Sequence, residues 1–292
     1  MTDNLRGSLW MLLAMAGFAV EDAFFKAATG LGAVTPGTGT LLFGLLALGI
    51  SAIVATLQGQ PLWHRAYLQR RLLVRTGFEI MGRLFFALSL AFNTLSTTSA
   101  ILQAAPLVVM LGAGLIFGER IGPRRWAAMA VGLVGVMLIL RPTPEAFSPT
   151  TIFAVLGMLG FAGRDLATRA SPPEVHAAQL NLLGFATVAM AGLVLIAFEP
   201  GAPVLPTGQG LALISGTAMA GVIGYGALTA AMRTGEVSVV APFRYFRLIV
   251  ALIIAVTVFG ERPDLLTLLG AALIVGSGLY TLMRDARRRL AI

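Results

Sequence analysis

Apolar stretches recur along the entire chain, each ended by a short polar, glycine or proline segment. Most are close to the ~20 residues that an α-helix needs to cross a bilayer. Read with that punctuation, the pattern predicts helices at 7–29, 36–57, 72–92, 97–118, 124–141, 150–170, 177–198, 209–233, 237–259 and 264–283. The expected fold is an all-α integral membrane protein of ten transmembrane helices. The first stretch exceeds the 7–15 apolar residues, roughly, of a secretory leader and is followed closely by others, so it is expected to stay in the mature protein.

Composition agrees with that pattern. Of the 292 residues, 57% are hydrophobic and 12% charged, with mean hydropathy +0.87, whereas soluble domains carry about 25% charged residues. The net charge of +8 does not point to nucleic acid, because the arginines cluster between apolar stretches and not along one solvated face. Basic residues are retained on the cytoplasmic side during insertion. Placing Arg6, Arg65, Arg70, Arg71, Arg120, Arg124, Arg125, Arg169, Arg233 and the Arg284–Arg289 run inside leaves only Arg141 and Arg262 outside. Cytoplasmic N- and C-termini in a bacterial-type inner membrane are expected, with the lipid bilayer and a small-molecule substrate as partners and a monomer or weak homodimer as the assembly. The chain has no cysteine, which removes disulfides and thiolate chemistry. His64 and His176 lie far apart in predicted loops, so neither a metal nor any other cofactor is expected.

Two copies of one pattern divide the chain. Met15-Ala-Gly-Phe-Ala-Val-Glu-Asp22 continues to Lys26, and Met158-Leu-Gly-Phe-Ala-Gly-Arg-Asp165 continues to Arg169. Later, Phe117-Gly-Glu-Arg120 matches Phe259-Gly-Glu-Arg262. The unit is five helices, over 1–145 and again over 146–292. An odd number of crossings threads the second copy through the membrane in the opposite sense, which predicts inverted repeats around a central cavity and alternating access to it.

At these residues the chain resembles the drug/metabolite transporter superfamily and, within it, the ten-helix EamA-type exporters. The resemblance rests on Lys26 at the end of the first helix, Pro106 ahead of Gly118-Glu119-Arg120, Arg124-Arg125-Trp126 and Arg141-Pro142. In the second half it rests on Ala241-Pro-Phe-Arg-Tyr245 and Phe259-Gly-Glu-Arg-Pro263. It implies secondary transport, often export, of amino acids, other metabolites or drugs. An exporter of aromatic or other neutral amino acids is the expectation drawn from it. Pro106 aligns with Leu248 and Pro242 with Ala100, so the helix breaks are expected at different depths in the fourth and ninth helices.

Charged side chains inside the bilayer cost about 2.5–3.5 kcal/mol each on insertion scales, so they mark function or pairing. Glu79 and Arg83 stand four apart on one helical face, opposite Gly221 and Tyr225 in the repeat. The small glycine is read as leaving room for a substrate. Arg244, Tyr245 and Arg247 follow Pro242, and arginine suits a carboxylate. With Phe78 and Gln103, the residues Glu79, Arg83, Tyr225, Arg244 and Tyr245 form the expected substrate site. Glu21, Asp22, Lys26, Arg164 and Asp165 are expected to serve in proton coupling or in structural ion pairs, among them a Glu21–Arg164 bridge between repeat-equivalent positions. Asn181 adds a neutral hydrogen-bonding group, and Trp10, Phe18 and Phe85 are further candidates to line the cavity. No Walker lysine motif, dinucleotide fingerprint or serine elbow is present, so the chain is not expected to be an enzyme. A channel-like facilitator and an intramembrane enzyme are the readings set against a carrier.

Overall fold

A computed structural model describes residues 2–93, 98, 101–141, 148–199, 206–258, 260 and 262–290. Ala100, Pro142, Phe259 and Glu261 lie outside the described residues, as do the side chains of Arg284, Arg287, Arg288 and Arg289. The described residues form helices α1 (Asp3–Gly30), α2 (Pro36–Leu57), α3 (Arg70–Phe92), α4 (Ala105–Phe117) and α5 (Pro123–Leu140). The second half follows with α6 (Ile152–Arg169), α7 (Ala177–Phe198), α8 (Gly208–Arg233), α9 (Val237–Thr257) and α10 (Leu265–Leu290). Caps fix several starts: Thr2, Thr35 and Thr207 each accept a backbone N–H in the first turn of α1, α2 and α8. Among the described residues, seven helices are long and apolar enough to cross a membrane. α3 differs from them because Arg70, Arg71, Arg75, Glu79 and Arg83 interrupt its apolar face.

Proline sets both breaks. Pro242 sits in a 3-10 stretch, Ala241–Tyr245, that divides α9. Pro106 opens α4 directly after a turn at Gln103 and Ala104. The two breaks fall at different points of their repeats, as the alignment of Pro106 with Leu248 requires.

The principal packing runs between halves. α1 lies along α8, α3 along α6, α2 along α7 and α5 along α10. Exchanging each helix with its repeat equivalent turns the α1–α8 pair into α6–α3 and leaves the other two pairs unchanged. Equivalent helices run in opposite directions: Arg233, at the end of α8, donates to Pro172 O and Val175 O just beyond the end of α6, so α6 ends on the face where α1 begins. The start of α1 meets the end of α8, with Asn4 beside Glu236, while the end of α3 meets the start of α6 through Asn93 and Thr150. At the α1–α8 crossing a Cβ on Gly17 would lie 2.8 Å from Gly224 Cα, and at the α3–α6 crossing one on Gly160 would lie 2.4 Å from Gly82 N. Those four glycines are two equivalent pairs, and backbone contact of this kind is how small residues join helices where no hydrophobic drive is available.

Large apolar side chains such as Leu57, Leu115, Leu193 and Met219 project outward from the bundle, the pattern of a lipid-facing belt. At the face where α1 begins, Glu119 caps α9. Its two carboxylate oxygens accept from Val237 N and Ser238 N, each at 2.8 Å. Glu119→Ala is expected to destabilise the chain by about 0.5–2 kcal/mol, the usual cost of a lost cap, read as a lower melting temperature of the purified protein. At the opposite face Arg141 Nη2 meets Asp264 Oδ1 at 2.5 Å and holds that exposed carboxyl well below the usual carboxylate range.

Candidate functional site

The charged residues converge where the two halves cross. On α3, Arg75, Glu79 and Arg83 repeat every four positions and therefore share one face. Glu79 is fully buried at the centre. Its carboxylate meets Arg164 Nη1 of α6 at 3.2 Å, Arg83 Nε at 3.4 Å and Arg75 Nη2 at 3.7 Å, and it accepts a hydrogen bond from the Tyr225 hydroxyl of α8. Arg75 donates to that hydroxyl at 2.7 Å and to Thr168 Oγ1 at 3.0 Å. Arg164 Nε lies 2.7 Å from Asp165 Oδ1, and Asp165 pairs in turn with Arg244 of α9. Four arginines thus share two carboxylates, an excess of two positive charges in a region that a membrane would surround.

Aromatic rings line this network. The guanidinium carbons of Arg83 and Arg164 each lie 5.5 Å from the Phe161 ring centroid, within the range of cation–π attraction. The equivalent ring in the first half, Phe18, carries Arg247 at 5.4 Å.

Exposure is graded. Arg75 and Glu79 are 0% exposed, Arg83 22%, Arg244 14% and Arg247 39%. The network is sealed toward the face where α3 begins and opens in the other direction. Arg247 meets Asp22 of α1 in a bidentate pair, with contacts of 2.6–2.8 Å. The repeat-equivalent aspartates Asp22 and Asp165 therefore hold two arginines on the same helix, α9. Lys26 is exposed near the far end of α1.

Several expected roles change. The Glu21–Arg164 bridge does not form, because α1 packs on α8 and α6 on α3, and Arg164 is taken by Glu79 and Asp165. Gly221 leaves no open space beside Glu79. A Cβ there would meet the Phe43 ring at 2.8 Å and Glu21 Oε2 at 3.1 Å. Tyr245 is fully buried with its ring against Gly132 of α5, and Phe78 packs its ring on Gly163 of α6, so both sit in helix interfaces. Gln103 lies partly buried at the α4 break, Asn181 donates to Val222 O at 3.4 Å, and Phe85 stacks on Phe153. Arg75 was not among the expected site residues, although its place one turn before Glu79 on the Glu79–Arg83 face signalled it. Among the described residues no group of three or more acidic or histidine side chains could hold a metal ion.

The chain belongs to the EamA-like transporter family, whose model matches residues 5–141 and again 148–283. It is therefore a multi-pass membrane transporter. Among curated proteins it is similar to a riboflavin transporter of Rhizobium johnstonii, with 29% identity over 97% of this chain and 92% of that protein. An S-adenosylmethionine uptake transporter of Rickettsia bellii is 27% identical over 70% of this chain and 71% of that protein. The pseudopaline exporter CntI of Pseudomonas aeruginosa is 27% identical over 92% of this chain and 93% of that protein. A solved crystal structure matches with a TM-score of 0.78 at 21% identity, covering 96% of this chain and 97% of that one, a likeness of fold.

Proposed function

We propose that this EamA-like chain is a secondary carrier that moves a small metabolite joining a planar ring to a polar, anionic or hydroxyl-bearing chain. The observation that carries this reading is the arginine excess between the halves, opening through Arg83, Arg244 and Arg247 on one side only. A buried surplus of guanidinium groups favours a ligand that brings negative charge or acceptor oxygens, and the rings of Phe18 and Phe161 beside those arginines favour a flat partner. Riboflavin and S-adenosylmethionine, the compounds in two of the relatives' names, both join a fused heteroaromatic ring to a polar chain. The named relatives give no specific support to amino-acid export, so amino acids become the second reading, favoured only by the alternation of arginine and carboxylate along the site. Energy comes from a solute gradient through alternating access of the inverted halves. The arginine distribution supports a cytoplasmic position for the face carrying the start of α1, in a bacterial inner membrane, and a path enclosed by the ten helices of one subunit fits this reading.

The test is flux into liposomes holding the purified chain, with riboflavin, S-adenosylmethionine and phenylalanine as probes. Saturable, competable flux of riboflavin or S-adenosylmethionine in preference to phenylalanine is expected. Non-saturating flux would favour a channel, and preference for phenylalanine would restore the amino-acid reading. Arg247→Gln removes one charge-assisted pair, worth about 1.5–3 kcal/mol, and is expected to lower kcat/KM for the transported probe about 10–100-fold.

A further inference from the structure

Among the described residues, four carboxylates lie within the membrane-spanning lengths of α1, α3 and α6: Glu21, Asp22, Glu79 and Asp165. Three of them have an arginine within ion-pairing distance. Glu21 has none, and among the described residues it makes no hydrogen bond. Its carboxylate rests against α8 at Gly221, beside the Phe43 ring of α2, partly buried. An unpaired carboxylate at that depth is costly to keep ionised, and the neighbouring carboxylate, Asp22, is already committed to Arg247.

The groups that face Glu21 are few. On α1 they are Asp22 and, one turn further, Lys26. α9 contributes Arg247, already held in a bidentate pair by Asp22, and Arg244, already held by Asp165. α3 contributes Arg83 across the space between the halves. α2 has no charged residue, and α8 has only Tyr225, turned to Glu79, and Arg233 at its end. The repeat equivalent of Glu21 is Arg164, a cation saturated by two carboxylates. One half thus carries a fixed pair at the position where the other carries an unpaired acid.

We infer that Glu21 is the proton-exchanging carboxylate of the transport cycle. An O–H bond forms at its carboxylate with a proton from the water on one face and breaks when the site opens to the other, so one proton crosses per cycle with no other bond changed. Arg83 and Arg247 stand within electrostatic reach of Glu21 and of the substrate path, which links the proton to the substrate. When a substrate anion takes those guanidiniums, Glu21 loses its countercharge and protonation becomes favourable. The inference rests on the carrier reading above.

The experiment is an infrared difference titration of the purified full chain in lipid, coupled to flux under an imposed pH gradient. A carboxylic-acid C=O band that rises between mildly alkaline and mildly acidic pH is expected in the wild type, is lost in Glu21→Gln and is displaced in frequency in Glu21→Asp. Absence of the band from the wild type, or its persistence unchanged in both variants, would overturn the inference. If the Gln variant does not fold, the frequency displacement in the Asp variant decides alone. In liposomes, flux of the transported probe responds to the pH gradient in the wild type and loses that response in Glu21→Gln; an unaltered response overturns the inference. The infrared arm needs no substrate, so it decides on Glu21 by itself, and a wild-type protein that moves none of the probes counts against the carrier reading alone.

Discussion

Glu79→Gln is expected to cost the fold about 3–5 kcal/mol, the effect of removing one partner from a sealed ion pair, and to deplete the mature protein from the membrane. The carboxylate is fully buried and faces Arg75, Arg83 and Arg164 at once. Glutamine keeps the volume and can still accept from the Tyr225 hydroxyl, so the loss isolates the charge. Without it the cluster of four arginines keeps only Asp165, and the excess positive charge rises from two to three. Set against a total stability of about 5–15 kcal/mol for typical folds, that is a large fraction. Thermal unfolding of the purified variant in detergent reads the effect. Adding Arg164→Met returns the excess to two and leaves Asp165 with Arg244 as a one-to-one pair, so the double variant is expected to recover much of the loss. If Glu79→Gln melted with the wild type, the arginines would have to be hydrated, and the seal toward the start of α3 would not exist.

The succession of membrane-crossing helices was legible because it is written in apolar length. That is a one-dimensional quantity. The duplication was legible for the same reason, through Gly17/Gly160, Phe18/Phe161 and Asp22/Asp165 at matched offsets. The identity of the ion-pair partners was not. Glu21 and Arg164 are equivalent in sequence, but two inverted copies do not bring equivalent positions together unless these lie on the symmetry axis. Here α1 meets α8 and α6 meets α3, so Arg164 finds Glu79. Arg75 stands one turn before Glu79 on the same helical face, yet it also follows Arg70 and Arg71 as a further interfacial arginine would, and the approach of Thr168 and Tyr225 decides that it is internal. Tyr245 follows Arg244 directly, yet the 3-10 stretch after Pro242 turns its ring to Gly132 of α5, a rotation that helical periodicity does not predict.

The symmetry makes a second large effect predictable at a place with no charge. Gly160→Ala puts a methyl group 2.4 Å from Gly82 N, and Gly17→Ala puts one 2.8 Å from Gly224 Cα. Neither neighbour is a flexible side chain, so α6 must move from α3 and α1 from α8. Overpacking of this sort costs about 1–3 kcal/mol per site. The crossings share no residue, so the double variant is expected to lose about 2–6 kcal/mol by simple addition. Gly77→Ala is the control on α3 itself: a Cβ there meets nothing within 4 Å, and exchanging glycine for alanine inside a helix is worth up to about 1 kcal/mol in the stabilising direction. Melting temperatures of the four variants and the wild type, measured in one detergent, give the comparison. The order expected is Gly77→Ala at or above wild type, either single crossing variant below it and the double variant lowest. Near-equal losses at the two crossings would show that they are one structural element used twice. A Gly160→Ala protein as stable as wild type would mean that α3 and α6 are held by Glu79 and Arg164 and not by backbone contact.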